Sequence, residues 1–193
     1  MRVGIFGGTF DPPHVGHFMA ASDACDALGL DRLVFVPVAT QPLKGAREAA
    51  SAAQRLAMVE LLAAGDPRFS VDSLEIDRGG LSFTVDTLRT LRQRWPAGTA
   101  DLVLLLGADA AAQFPQWKDP AAIHALARVA VLTRGDVDDA RGMEVPAGME
   151  AVATRRVDAS STEVRERVAA GKPVDALVPA SVAAYIARTG LYR

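Results

Sequence analysis

Val3-Gly-Ile-Phe-Gly-Gly-Thr-Phe-Asp-Pro-Pro-His-Val-Gly-His17 decides the fold, because a short apolar run passes directly into a glycine turn and then into a helical stretch. Val3 to Phe6 shows no polar alternation and reads as a strand buried on both faces. Phe18 to Leu28 is alanine-rich, and Gly29 stands where a helix C-cap wants it. Leu33-Val-Phe-Val36 supplies a second buried strand, ending at Pro37. Strand, loop, helix and strand in this order make a parallel crossover.

The same alternation continues outward. Ser51 with Gln54 predicts a capping box, and Leu56, Val59 and Leu62 mark one face of a helix stopped at Gly65-Asp-Pro67. Val85, Leu88, Leu91 and Trp95 repeat at helical spacing, and Asp101-Leu-Val-Leu-Leu-Leu106 returns to a buried strand before Gly107. Arg128-Val-Ala-Val-Leu132 is a further strand, Ser160 with Glu163 caps another helix, and Val182, Tyr185 and Ile186 face a last one. The expected architecture is α/β: a Rossmann-like, doubly wound, mostly parallel sheet with helices on both faces. Residues 1–193 are expected to form one domain, with the helical segment from about 160 to 193 packed on it. Residues 134–156 mix Arg134, Arg141, Arg155 and Arg156 with Asp136, Asp138, Asp139, Glu144 and Glu150 among Gly and Pro, and read as a solvated excursion.

The chain has 193 residues, 50% apolar and 23% charged, with a formal charge of -2. That balance excludes general disorder and the basic footprint of a nucleic-acid binder, so any anionic ligand must be met locally. Cys25 is the one cysteine, which rules out an intrachain disulfide and fits a reducing, cytoplasmic setting. Cys25 has no basic neighbour in sequence and reads as packing. The apolar run at the N-terminus is too short for a signal core or a membrane span. Composition does not fix assembly state, and a homo-oligomer is compatible with it.

Gly7 and Gly8 lie just past the first strand, where a turn brings backbone amides and a helix start to phosphate. The loop is neither a dinucleotide fingerprint nor a P-loop, since the two glycines are adjacent and no Gly-Lys-Ser/Thr follows. His14 and His17, two of only three histidines, share one face of the helix start and can meet the same phosphate. A structural pair and a metal pair are the alternatives. No third ligand lies nearby in sequence, so no protein-bound metal site is expected.

Gly7-Gly-Thr-Phe-Asp-Pro-Pro-His-Val-Gly-His17 resembles the first motif of the T/HxGH nucleotidyltransferase superfamily, which includes pantetheine-phosphate adenylyltransferases and glycerol-phosphate cytidylyltransferases. Leu81-Ser-Phe-Thr-Val-Asp-Thr-Leu88, Gly107-Ala-Asp-Ala-Ala-Ala-Gln-Phe-Pro-Gln-Trp117, Ser160-Ser-Thr-Glu-Val-Arg165 and Tyr185-Ile-Ala-Arg-Thr-Gly-Leu-Tyr-Arg193 narrow the likeness. Together they resemble the bacterial nicotinate-nucleotide adenylyltransferases over essentially the whole chain. Two departures stand out: Gln41-Pro-Leu-Lys44 where the family often has Pro-Pro-His-Lys, and Phe83 where Tyr is common.

The resemblance implies transfer of AMP from ATP to nicotinate mononucleotide, releasing pyrophosphate, with Mg2+ carried mainly by the ATP phosphates. It implies catalytic roles for His14, His17 and Arg165, and ATP contacts from Gly7, Gly8, Thr9, Phe10, His14, His17, Gly107, Asp109, Ser161, Thr162 and Arg165. Acceptor contacts would come from Thr9, Lys44, Phe83, Thr84, Thr87, Trp117 and Arg134. Each has a plainer reading beside it. Ser160 to Thr162 can cap a helix as well as hold phosphate. Asp109 can be an N-cap or a ribose acceptor. Trp117 can be core or a stacking platform for a pyridinium. Lys44 can be a solvated loop lysine or can neutralise the acceptor phosphate. Nicotinamide mononucleotide and phosphopantetheine are alternative acceptors, and a nucleotide-binding module without turnover is the alternative from another class.

Overall fold

The computed structural model describes residues 1–42, 49–135 and 145–193, apart from the Arg134 side chain. Six strands, β1 (Arg2–Gly8), β2 (Arg32–Pro37), β3 (Phe69–Val71), β4 (Asp101–Gly107), β5 (Arg128–Arg134) and β6 (Met149–Thr154), form one sheet in the order β3-β2-β1-β4-β5-β6. Every pairing is parallel. The chain winds outward from β1 to β3, returns to β4 beside β1, and winds outward the other way. The winding reverses between β1 and β4, so a crevice opens beyond their carboxyl ends, at Gly7-Gly8 and Gly107.

The connecting helices are α1 (Val15–Leu28), α2 (Ala52–Ala63), α3 (Leu74–Arg78), α4 (Thr84–Arg94), α5 (Ala108–Gln113), α6 (Pro120–Leu126), α7 (Ser161–Ala169) and α8 (Ala180–Thr189). Alternate strand residues point to opposite faces. Val103 and Leu105 of β4 join Ala21, Ala24, Met58, Val164, Val182 and Ile186 from α1, α2, α7 and α8. Leu102, Leu104 and Leu106 join Val85, Leu88, Ala111 and Ile123 from α4, α5 and α6. The C-terminal segment therefore packs on the α1 face through Val164, Val178, Val182, Ile186 and Leu191.

Local signals do what their chemistry requires. Gly29 takes the left-handed conformation (φ 58°, ψ 48°) and its N–H reaches the Cys25 carbonyl. At α2, Ser51 N–H donates to Gln54 Oε1 at 2.9 Å and Gln54 N–H to Ser51 Oγ at 3.3 Å, the reciprocal capping box. Cys25 is buried, and burial pushes its thiol up to about 11, which makes it packing rather than a nucleophile.

The excursion expected over 134–156 needs correction. Met149–Thr154 is the edge strand β6, paired with Val129–Arg134. Arg155 is exposed, as its charge suggests, but is also tied down: its backbone N–H and Nε donate to the Asp23 carboxylate at 2.7 and 2.8 Å. Pairing to β5 supplies the backbone partners that the charge pattern hides. Among the described residues no helix is long and apolar enough to cross a membrane.

Candidate active site

The loop from β1 to α1 is fixed by close packing. Phe10 adopts φ 52° and its ring is 3% exposed, edge-on to Phe6 at 5.8 Å and to His17 at 5.0 Å. A Cβ on Gly8 would lie 2.8 Å from Phe10 Cζ, so glycine is required there. This confines the expected nucleotide contact of Phe10 to its backbone. Its side chain belongs to the core, and only its backbone can serve a ligand.

His14 is the N-cap of α1. Its Nδ1 accepts from Gly16 N–H at 3.1 Å, and His17 Nδ1 accepts from His14 N–H at 3.2 Å. The two rings stand 3.8 Å apart between centroids. Because both Nδ1 atoms accept, a neutral ring carries its proton on Nε2. Helix capping thereby selects the tautomer that presents Nε2–H as a donor. His14 is buried and His17 half-buried.

Asp11 ties the loop to three distant parts of the chain, which sequence reasoning missed. Its carboxylate accepts from Ala49 N–H at 2.7 Å, Ala50 N–H at 3.1 Å and Tyr192 Oη–H at 2.7 Å. Burial and the Asp11 carboxylate push the Tyr192 hydroxyl well above its ordinary range, so it stays a donor. The Asp11 carbonyl accepts from Arg165 Nη1 at 2.7 Å, and the Pro12 carbonyl accepts from Ser161 Oγ–H at 2.8 Å. Arg165 Nη2 also donates to Thr162 Oγ1 at 3.1 Å. Ser160 caps α7 by accepting from Glu163 N–H at 3.1 Å. The start of α7 is thus held against the loop. From the other side, Arg55, 1% exposed, donates to the carbonyls of Thr9 at 2.8 Å and Ala39 at 3.1 Å.

A cleft of about 620 Å³ opens at the sheet's reversal point, lined by Gly7, Gly8, Thr9, Thr84, Gly107 and Asp109 and walled by Phe83 and Trp117. Gly107 is the N-cap of α5, so Asp109 sits in the helix's first turn, exposed to the cleft rather than capping. Trp117 is half-buried: it packs on Phe114 at 5.4 Å between ring centroids and also lines the cleft. Gly79 and Gly80 take φ 68° and 69°, turning the chain into α4. Phe83 occupies the N-cap of α4 without a side-chain cap. Lys118, not anticipated from sequence, also lines the cleft.

Thr87 departs from expectation. It is buried, and its hydroxyl donates to Glu75 Oε1, so it supports the wall instead of facing a ligand. Glu75 itself lines the cleft, and its Oε2 is buried with no hydrogen-bond partner among the described residues. Burial pushes the Glu75 carboxyl up against the opposing pull of Thr87, Ser82 and Arg78. A raised folded-state value means that the folded protein loses stability relative to the unfolded chain as pH rises above the ordinary carboxylate range. Glu75→Gln is therefore expected to raise the melting temperature relative to wild type more at pH 8 than at pH 4. A difference independent of pH would show that the carboxyl does not titrate differently on folding.

The His14–His17 pair and α7 approach the Gly7–Asp11 loop from the α1 face, while Phe83, Thr84 and Trp117 approach from the α4 face. Lys44 and the Arg134 side chain lie outside the described residues.

Residues 5–167 match the family model described as cytidylyltransferase-like. The chain is 48% identical over 203 residues to a probable nicotinate-nucleotide adenylyltransferase of Gemmatimonas aurantiaca, covering 100% of this chain and 93% of that protein. It is 42% identical to a probable nicotinate-nucleotide adenylyltransferase of a Roseiflexus species, covering 99% and 98%. Among solved structures, Plasmodium falciparum nicotinic acid mononucleotide adenylyltransferase complexed with NaAD superposes with a TM-score of 0.78 at 17% identity, covering 99% of this chain and 97% of that one. That last likeness is one of fold.

Proposed function

The chain belongs to the cytidylyltransferase-like family and, within it, to the nicotinate-nucleotide adenylyltransferases, and from that premise we propose that its cleft transfers AMP from ATP to the phosphate of nicotinate mononucleotide. A phosphate oxygen of the acceptor bonds to the α-phosphorus, and pyrophosphate leaves with the electron pair of the broken P–O bond. The acceptor phosphate is already anionic at neutral pH, so no general base is needed. Catalysis reduces to alignment and to donors placed where charge builds.

The observation that carries the reading is that the Gly7-Gly8-Thr9 turn lines the cleft together with the aromatic pair Phe83 and Trp117, and runs on in the chain to the helix start at which His14 and His17 are held. The pyridine ring stacks on the first while the phosphates lie along the glycine turn toward the second. Arg165 and the start of α7 hold the loop and offer positive charge to the outer phosphates. Asp109 faces the cleft as a ribose acceptor.

ATP enters as its magnesium complex. Among the described residues no group of three His, Cys, Asp or Glu could hold a metal ion, and Asp11, the carboxylate in the loop, is engaged by Ala49, Ala50 and Tyr192. This donor set suits a cation carried by the triphosphate. Incubation with MgATP and nicotinate mononucleotide, followed by pyrophosphate release, tests the activity, and no release overturns it.

Trp117→Ala is expected to raise the KM for the pyridine nucleotide and leave that for ATP nearly unchanged, since stacking contributes roughly 1–3 kcal/mol. Unchanged kinetics with a lower melting temperature would make Trp117 packing alone.

A further inference from the structure

Phe83 and Trp117 share a neighbour that neither the loop chemistry nor the helix starts account for. Lys118 Nζ stands 4.7 Å from the centroid of the Phe83 ring and donates to Asp86 Oδ2 at 2.8 Å. It is the one cation among the described residues that line the cleft. Its immediate neighbours form a charge-balanced cluster rather than an excess of negative charge. Asp86 also accepts from Arg89 Nη1 at 3.3 Å, and Arg89 Nη2 donates to Asp119 at 3.0 Å, so two cations face two carboxylates. Arg78 adds positive potential at Asp86, whose carboxyl is held below its usual range, first by the Lys118 hydrogen bond. An ammonium has three donors, and Asp86 engages one.

We propose that Lys118 is a specificity-determining residue for the acceptor, its ammonium pairing with the carboxylate carried by the pyridine ring. The assignment rests on the proposed adenylyltransfer to a pyridine nucleotide. The acceptor phosphate must approach the His14–His17 side of the Gly7-Gly8-Thr9 turn, on the α1 face. Lys118 lines the cleft beside Phe83 on the aromatic wall, where the proposed pose puts the ring and its substituent. Asp86 already restrains the lysine side chain, so little further ordering is lost when a ligand binds. An anionic carboxylate gains a charge-assisted bond from it, whereas a neutral amide gains an ion–dipole contact of lesser strength.

The test compares wild type, Lys118→Met and Lys118→Arg in steady-state assays with nicotinate and nicotinamide mononucleotide at saturating MgATP. Lys118→Met should lower the ratio of nicotinate to nicotinamide kcat/KM about tenfold, through KM for the nicotinate acceptor, as expected for loss of one hydrogen bond to a charged group. Lys118→Arg should keep that ratio within about threefold of wild type, because the positive charge is retained. The proposal is overturned if Lys118→Met leaves the ratio unchanged, including the case in which both acceptors lose efficiency equally and the ammonium serves the phosphate or the fold. Wild-type protein inactive on both acceptors overturns the activity itself, so the wild-type rate tells the two failures apart.

Discussion

Replacing His17 with alanine is expected to lower kcat by about 10² and to change the KM for ATP little, the size of removing one preorganised donor from a developing oxyanion. His17 Nδ1 is committed to the His14 N–H, which leaves Nε2 as the proton-bearing atom of the neutral ring. That donor costs no reorganisation at the moment of reaction, because the helix start and the packed Phe10 ring already hold the imidazole. Its bond strengthens as negative charge grows on the α-phosphate and the leaving pyrophosphate, so its loss falls on kcat. The same side chain also caps α1, and alanine should cost about 1 kcal/mol of stability by that route. His17→Gln separates the roles: glutamine suits the third position of a capping box and restores the melting temperature, while its amide replaces the Nε2 donor only in part. A folded alanine variant with kcat within threefold of wild type would remove His17 from the mechanism.

The sequence disclosed those parts of the fold whose cause is local. Apolar runs such as Val3 to Phe6 and Leu102 to Leu106 must be buried on both faces, and Gly29 and the Ser51–Gln54 box end and begin helices through neighbours within a turn. β6 was hidden because an edge strand needs few apolar residues, and Arg155 and Glu150 read as solvated although each pairs with a residue far away in the chain. The site divides in the same way. His14 and His17 were legible because their partners lie within three residues. Asp11 was not, since Ala49, Ala50, Tyr192 and Arg165 reach it from three other segments. The burial of the Phe10 and Thr87 side chains was hidden for the same reason. Motif position suggested ligand contacts, and only the tertiary packing of Phe6, His17 and Glu75 turns their side chains inward. A buried arginine such as Arg55 leaves no sequence trace, because its partners are backbone carbonyls that every residue carries.

Wild-type protein is expected to use nicotinate mononucleotide with a kcat/KM about 10² or more above that for nicotinamide mononucleotide, a discrimination that arises when a site built for one hydrogen-bonding pattern meets another. A carboxylate only accepts, whereas an amide also presents an NH₂ donor. The turn Gly79-Gly80 swings Phe83 and Thr84 to the cleft and begins α4 there without a side-chain cap. The N-cap carbonyl, that of Phe83, is already engaged by the N–H groups of Asp86 and Thr87, so what α4 offers from its first turn is N–H groups and the Thr84 hydroxyl. The positive end of the helix macrodipole favours an anion at that place. An amide bound in the same pose would turn its NH₂ toward those donors and leave buried groups unpaired, at a cost of about 1–3 kcal/mol for each. Burial pushes the buried Glu75 carboxyl behind this wall toward its neutral form, against the pull of Thr87, Ser82 and Arg78, which weakens its opposition to a bound carboxylate. Steady-state rates with both acceptors under saturating MgATP measure the difference directly. Equal efficiencies would refute a carboxylate-binding wall at α4, and higher efficiency with the amide would mean that Glu75 is ionised and accepts from its NH₂.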